Sequence, residues 1–345
     1  MKTYILQAAC IAPGILPFSE SLEFVKHPEQ LKYLCASEPE YYSFPPTVNL
    51  RRIPRMGKIG LACAQKCTTD SESAADAIFT GTGMAMMDDS EEFLKQITGS
   101  HPNLCRPTPF IHSTHHLIPS LIAKTFQITG PNINFIQQAH SFESAFIESL
   151  LFFSEQPQKK VLLGSFDEIN SSLFNLLKNS DSFNLRTQSL EQDHDKWGEG
   201  VAFFLLSDLK PVGKSVSIRE VKTLPIPKNK EELLSALQEF LSRHTDLRSD
   251  EMFVLSGEGS KPDNDFIQYL AESELKEYNL VRFKEICGEY FTSSSFAIWL
   301  GYRIMMSQNP LKDIARIRNN NKTTSVLILQ QVMGAGYSIQ LLELC

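Results

Sequence analysis

The sequence predicts an α/β fold, and three observations carry the prediction. Apolar runs of strand length alternate with longer segments of helical period from one end of the chain to the other, the pattern of a parallel or mixed sheet covered by helices. With 345 residues, 42% hydrophobic and 21% charged, the chain can bury about three quarters of its unfolded surface, which excludes disorder and a disulfide-stapled miniature. The order of elements in the first part also returns in the second.

The elements follow in order. Tyr4–Ile11 is a buried strand: its opening apolar stretch, Tyr4 to Leu6, is shorter than the roughly 7–15 residues of a signal core, so Leu6-Gln7-Ala8-Ala9-Cys10 is not read as a lipoprotein leader. Lys58–Cys67 carries apolar residues at helical spacing, and Ala77–Thr80 is a short apolar run ended by a glycine turn. Ser90–Ile97 and His115–Gln127 are helices, and Asn132–Gln137 is a strand after Gly130-Pro131. Ser141–Ser154 is a helix, and Lys160–Gly164 and Gly200–Ser207 are strands separated by a polar surface loop, Asn179–Lys196. Leu209–Lys214 holds a Pro and a Gly and joins two halves. Beyond it, strands Val216–Val221, Met252–Ser256, Asn279–Phe283, Ser325–Gln331 and Tyr337–Leu344 are interleaved with helices Lys230–His244, Asp263–Leu275 and Thr292–Ser307. Ile317–Thr324 is a second surface loop.

The repetition is one of order and not of residue identity. Asn132–Gln137, a helix with Ser144-Ala145-Phe146-Ile147, Lys160–Gly164 and Gly200–Ser207 correspond to Asn279–Phe283, a helix with Ser295-Phe296-Ala297-Ile298, Ser325–Gln331 and Tyr337–Leu344. Length alone leaves two domains or one large domain open. The repetition points to two similar halves, 1–209 and 210–345, packed as one compact unit.

Charge and cysteine usage narrow the function classes. A net charge of −7 without a basic run argues against nucleic-acid binding, which needs clustered Lys and Arg. No window reaches the ~18 apolar residues of a membrane span, so a cytoplasmic location is expected. The seven cysteines, Cys10, Cys35, Cys63, Cys67, Cys105, Cys287 and Cys345, are scattered without a Cys-x-x-Cys pair. They read as free thiols, and neither a metal nor a cofactor is expected.

A series of landmarks resembles the β-ketoacyl synthases of the thiolase superfamily along almost the whole chain. Gly81-Thr82-Gly83 is similar to their glycine-rich turn. Arg106-Pro107-Thr108-Pro109-Phe110 followed by Ile128-Thr129-Gly130-Pro131-Asn132 resembles their run into the "G-P-N" strand. Trp197-Gly198-Glu199-Gly200-Val201-Ala202 resembles "G-E-G-A", and Pro262 with Asn264-Asp265 resembles the end of "H-G-T-x-T-P-x-N-D". The resemblance implies a thiolase-like fold, two similar βαβαβ-type halves in a layered αβαβα core.

The chemistry of that family is missing from these residues. Its nucleophilic cysteine stands at a helix N-terminus, where free N–H groups and the positive dipole end lower a thiol pKa and hold an oxyanion. The matching segment is Gln137-Gln138-Ala139-His140-Ser141, with His140 at the cysteine's place and Ser141 expected as a helix N-cap. The first family histidine falls at Gly257, beside Glu258. The second falls at Glu289, in Lys284-Glu285-Ile286-Cys287-Gly288-Glu289, which keeps the lysine and glycine. Decarboxylative condensation needs a thiolate and two neutral imidazoles facing developing enolate charge, and a carboxylate there repels that charge. The flexible "G-F-G-G" gate is replaced by Val332-Met333-Gly334-Ala335-Gly336. Ketosynthase activity by the family mechanism is therefore expected to be absent.

Members of the family that lack the cysteine include chain length factors, which pair with an active ketosynthase and shape its tunnel. The resemblance implies this role here, with an active β-ketoacyl synthase and an acyl carrier protein as partners, in fatty-acid, polyketide or aryl-polyene-like biosynthesis. It places Phe110, His112, Thr114, Leu117, Asn134 and Ile136 at the dimer surface or the partner's tunnel, with Phe110 either a tunnel floor or ordinary core. Two rivals stay open. One is an enzyme using His140, Glu258 and Glu289 on an acyl thioester; the other is a structural or carrier-docking subunit with a filled tunnel. His112, His115 and His116 are expected on one helical face, without an acidic neighbour, and are read as surface and not as a metal site.

Overall fold

The computed structural model describes residues 2–19, 22–25, 32–41, 44, 48–68, 75–99, 105–179, 197–257, 266–307, 315–318, 321–332 and 336–345. Among them the strands are β1 (Thr3–Ile11), β2 (Ala77–Gly81), β3 (Asn132–Phe135), β4 (Lys160–Asp167), β5 (Gly200–Ser207), β6 (Val216–Leu224), β7 (Met252–Gly257), β8 (Asn279–Arg282), β9 (Ala315–Arg316), β10 (Ser325–Val332) and β11 (Gly336–Leu344). The helices are α1 (Arg55–Thr68), α2 (Met87–Thr98), α3 (Pro107–His112), α4 (Leu117–Phe126), α5 (Ser141–Glu155), α6 (Ser171–Asn179), α7 (Lys230–Ser242), α8 (Phe266–Glu272), α9 (Lys284–Cys287) and α10 (Ser294–Ser307).

The strands are apolar on both faces because helices cover both. In β5, Val201, Phe203 and Leu205 face a core built on α1, while Ala202, Phe204 and Leu206 face a second core shared with α5 and α10. β10 divides in the same way, with Val326 and Ile328 in that shared core and Leu327 and Leu329 in a third built on α7 and α8. Period-2 alternation thus separates two apolar sets in one strand. The result is five layers, with α5 and α10 in the middle. Buried Phe296, Ile298, Leu300 and Ile304 of α10 pack there with Phe79 and Leu163 of the first half and Phe253 and Leu255 of the second.

The sheet runs β3-β2-β4-β5-β1-β6-β11-β10-β7-β8-β9. In the first half β3, β2 and β4 are parallel, and β5 is antiparallel to both β4 and β1. In the second, β8, β7 and β10 are parallel, and β11 is antiparallel to both β10 and β6. The two series meet where Thr3–Ile5 pairs with Val216–Ile218. Each half therefore lists its strands in the same order and sense.

Several expectations differ from what is seen. β3 ends at Phe135 and not at Gln137, because the chain leaves the ladder for a 3-10 turn, Gln138–His140. It is also the edge strand of the sheet. Helix α3 is not among the expected elements; its prolines sit in the first turn, where N–H groups have no intrahelical acceptor and Pro is tolerated. α6 was also unexpected, although Asn170 Oδ1 accepts from the Leu173 N–H at 2.8 Å as an N-cap. Helix α4 starts at Leu117, so His112 ends α3 while His115 and His116 lie in the turn between helices. The three histidines do not share a helical face. Residues 180–196, 258–265, 319–320 and 333–335, including Glu258, Pro262, Asn264, Asp265 and most of the Val332–Gly336 segment, lie outside the described residues.

Candidate functional site

The three positions singled out in the sequence lie just before α5 (His140), at the end of β7 (Gly257) and just after α9 (Glu289). The turn after β3 is tight, and Gln138 takes φ +52°, a left-handed conformation that costs a non-glycine residue energy. That turn puts His140 immediately before α5, as its N-cap residue. Its Nε2 lies 3.2 Å from the Tyr337 carbonyl of β11, an acceptor only, so Nε2 carries the proton and the imidazole is tied to the second half. Ser141 is the first residue of α5 and not its cap. Its Oγ accepts from the Gln137 N–H at 2.8 Å and donates to the Gln138 carbonyl at 2.9 Å, which braces the turn.

One helical turn further, Glu143 is buried. Its Oε1 accepts from Ser338 Oγ and Gln340 Nε2 of β11, both at 2.9 Å, and burial pushes its carboxyl up. The N-terminus of α5 is thus fastened to β11 by both His140 and Glu143.

Gly257 closes β7 in a space with no room for a side chain. A Cβ built there lies 2.6 Å from Gln330 Oε1 and 2.7 Å from Phe283 Cζ. Glu289 follows α9, and its Oε2 accepts from Lys284 Nζ at 2.8 Å with both side chains largely buried. Lys284 Nζ also donates to the Gln331 carbonyl. Lys284 therefore neutralises the Glu289 carboxylate. Cys287, in the same segment, is a buried thiol that burial pushes up, away from thiolate character.

An apolar plug fills the space around these positions: Ala139, Phe291 and Val332 are buried together, with Met84 and Trp197 packed on them. Gly83 makes this possible, since a Cβ on it would lie 2.3 Å from Phe291. Beside the plug lies a recess of about 250 Å³ lined by Met84, Glu168, Ile169, Leu173, Trp197 and Phe291 among others.

Two buried carboxylates that the sequence did not single out hold this region together. Asp167, ending β4, accepts from Thr82 Oγ1 (3.1 Å), Gly83 N (2.8 Å), Met84 N (3.2 Å), Thr292 N (2.9 Å) and Thr292 Oγ1 (2.7 Å). Burial raises its carboxyl against these five donors, and it joins the glycine turn of the first half to the start of α10. Glu199, in the Gly198-Glu199-Gly200 landmark, accepts from Arg55 at 2.5 Å and from the Ala36 N–H at 2.8 Å. No local pattern marks Asp167, whose partners are distant in the chain.

The residues expected at a dimer surface fall around the edge strand. Phe110 is 55% exposed and so is not core; its ring leans on Phe93 at 5.1 Å between centroids. Ile136 is 48% exposed and Thr114 is exposed, while His112, Asn134 and Leu117 are half-buried. Asn134 Nδ2 donates to the His115 carbonyl at 2.8 Å. Contrary to expectation, His112 has an acidic neighbour: its Nδ1 lies 3.3 Å from Asp89 Oδ1. Ile133, Ile147 and Leu151 are 39%, 40% and 54% exposed, which extends an apolar face from β3 onto α5. Among the described residues no group of His, Cys, Asp and Glu could hold a metal ion, and no helix is long and apolar enough to cross a membrane.

This architecture is the thiolase-like fold of ketosynthases and chain length factors. Among similar solved structures is the ishigamide ketosynthase/chain length factor, at TM-score 0.71 and 11% identity over 100% of this chain and 99% of that one. Another is the ketosynthase ApeO in complex with its chain length factor ApeC from Xenorhabdus doucetiae, at 0.70 and 12% over 100% and 98%. A β-ketoacyl synthase from Burkholderia phymatum STM815 matches at 0.71 and 12% over 99% of each chain. No family model matches the sequence, and no curated protein does.

Proposed function

We propose that the chain is a non-catalytic, ketosynthase-like subunit of the chain length factor type. It pairs in the cytoplasm with an active, cysteine-bearing β-ketoacyl synthase. It shapes the tunnel in which that partner's chain grows on an acyl carrier protein, in fatty-acid, polyketide or aryl-polyene-like biosynthesis. The 1–209 and 210–345 halves act as one scaffold for this pairing.

The observation that carries the proposal is His140. At the start of α5, where this chemistry requires a thiolate, stands an imidazole engaged with the Tyr337 carbonyl. The other two positions agree with it: Gly257 has no space for an imidazole, and Glu289 brings negative charge, neutralised by Lys284, to the place where enolate charge develops. The surface supports pairing. An edge strand offers unpaired backbone groups to a partner strand, and native proteins leave such an edge flanked by apolar side chains where a partner covers it. The similar structures of ketosynthase and chain length factor pairs support the same choice.

The test has two arms. The purified chain alone is assayed for decarboxylation of malonyl-loaded carrier protein and for condensation, with no turnover expected; robust turnover sinks the non-catalytic role. Co-expression with candidate cysteine-bearing ketosynthases from the same organism is expected to give a stable pair with one of them, and failure to co-purify with any sinks the pairing.

A further inference from the structure

One face of α2 is committed to α3. Asp89, Glu92, Phe93 and Gln96 stand at i, i+3, i+4 and i+7, the spacing that aligns side chains along a helix. Gln96 Oε1 accepts from the backbone N–H of Arg106, the residue preceding α3, at 2.8 Å. Glu92 Oε1 accepts from the Arg106 guanidinium at 3.0 Å. The Phe93 ring supports the Phe110 ring, tilted at 48°. Asp89 Oδ1 meets Nδ1 of His112, the last residue of α3, at 3.3 Å. The start, middle and end of α3 are each held from the same helix face.

A six-residue helix has few backbone bonds of its own, so its placement is set by what packs under it. Yet α3 is not held to complete a core. Phe110 and Ile111 each remain 55% exposed. An aromatic ring kept at a fixed angle but left open to solvent is placed for something that comes to it.

We infer that α2 is the positioning element for α3, and that the side chain at Phe93 sets how far Phe110 projects into the partner's tunnel, and so how long the product grows. This inference rests on the proposed function. Phe93 touches neither substrate nor reacting atoms; it acts through Phe110. With Phe93 reduced to Ala, the Phe110 ring has vacated volume to fall back into, and the tunnel floor recedes. With Leu at 93, most of the support remains.

The experiment uses the pair formed with the cysteine-bearing ketosynthase that co-purifies with the chain, supplied with malonyl-loaded acyl carrier protein, and reads the product masses. Phe93→Ala is expected to shift the main product longer by at least one two-carbon unit, with total turnover within about twofold because no group at the reacting centre is touched. Phe93→Leu is expected to restore the wild-type distribution. Asp89→Ala, which releases the end of α3, is expected to broaden the distribution and serves as the second variant if Phe93→Ala does not fold. Unchanged lengths in Phe93→Ala and Asp89→Ala, while Phe110→Ala lengthens the product, overturn the inference and leave the proposed function standing. Unchanged lengths in all three, Phe110→Ala included, overturn both. Lost turnover or pairing with unchanged lengths shows a merely structural role for α2 and also overturns the inference.

Discussion

Replacing Gly257 by alanine tests the proposal that packing at the end of β7 leaves no room for the imidazole that ketosynthase chemistry would need there. The added Cβ meets Gln330 Oε1 at 2.6 Å and the Phe283 ring at 2.7 and 2.8 Å. Both neighbours are fully buried, and Gln330 Nε2 is already committed to Ser293 Oγ at 2.9 Å. Overpacking of this kind costs about 1–3 kcal/mol, and moving Gln330 off Ser293 adds about 1 kcal/mol, giving about 2–4 kcal/mol in all. With an unfolding entropy of about 2.1 cal/mol/K per residue, 345 residues correspond to about 0.7 kcal/mol per degree. The melting temperature is then expected to fall by about 3–6 °C, as read by calorimetry on the purified chain. A variant that melts with the wild type would show that the position has room. The packing argument against a histidine there would then fail.

Further outcomes follow from other sites. Glu168 is buried, and its carboxyl is raised from 4.5 to about 7, chiefly by burial. The folded state therefore holds this proton more tightly than the unfolded one; the stability it contributes is complete below pH 4.5 and is lost as pH rises to 7. That loss amounts to about 3 kcal/mol. Glu168→Gln should remove this part of the pH dependence in denaturant melts at pH 5 and pH 8, and an unaltered dependence contradicts the assignment. Ile147→Asp with Leu151→Asp should abolish co-purification with the ketosynthase while changing the chain's own stability by only about 0.5 kcal/mol each, because both side chains are exposed. Retained pairing would move the interface elsewhere. Glu143→Leu should loosen α5 from β11 by removing the acceptor of Ser338 Oγ and leaving Gln340 Nε2 with only its 3.3 Å bond to Ser338 Oγ, a loss of about 1–3 kcal/mol; a neutral result would show that the two groups satisfy each other.

Most of the ten expected strands were legible because they are apolar runs buried on two faces, as Gly200–Ser207 is, whereas β3, partly exposed at the sheet edge, was marked by the Gly130-Pro131 before it. The two-residue β9 carries no such run and went unseen. Helix α3 was hidden by Pro107 and Pro109, which read as loop residues although both fit a first turn. His140, Gly257 and Glu289 were singled out only by their spacing from neighbouring motifs, and no pattern of their own marks them. What each now does was not legible. Glu289 pairs with Lys284 five residues before it, but the Tyr337 carbonyl that engages His140 and the Asp89 that meets His112 come from tertiary folding. The plug of Ala139, Phe291 and Val332 draws on three separate segments for the same reason.

The most direct test is a comparison of products from the co-purifying, cysteine-bearing ketosynthase alone, this chain alone, and the two together, each with malonyl-loaded acyl carrier protein and mass detection. The account predicts no condensation by this chain alone and a defined product length only from the pair. Condensation by the chain alone, or the same product distribution with and without it, would contradict the account.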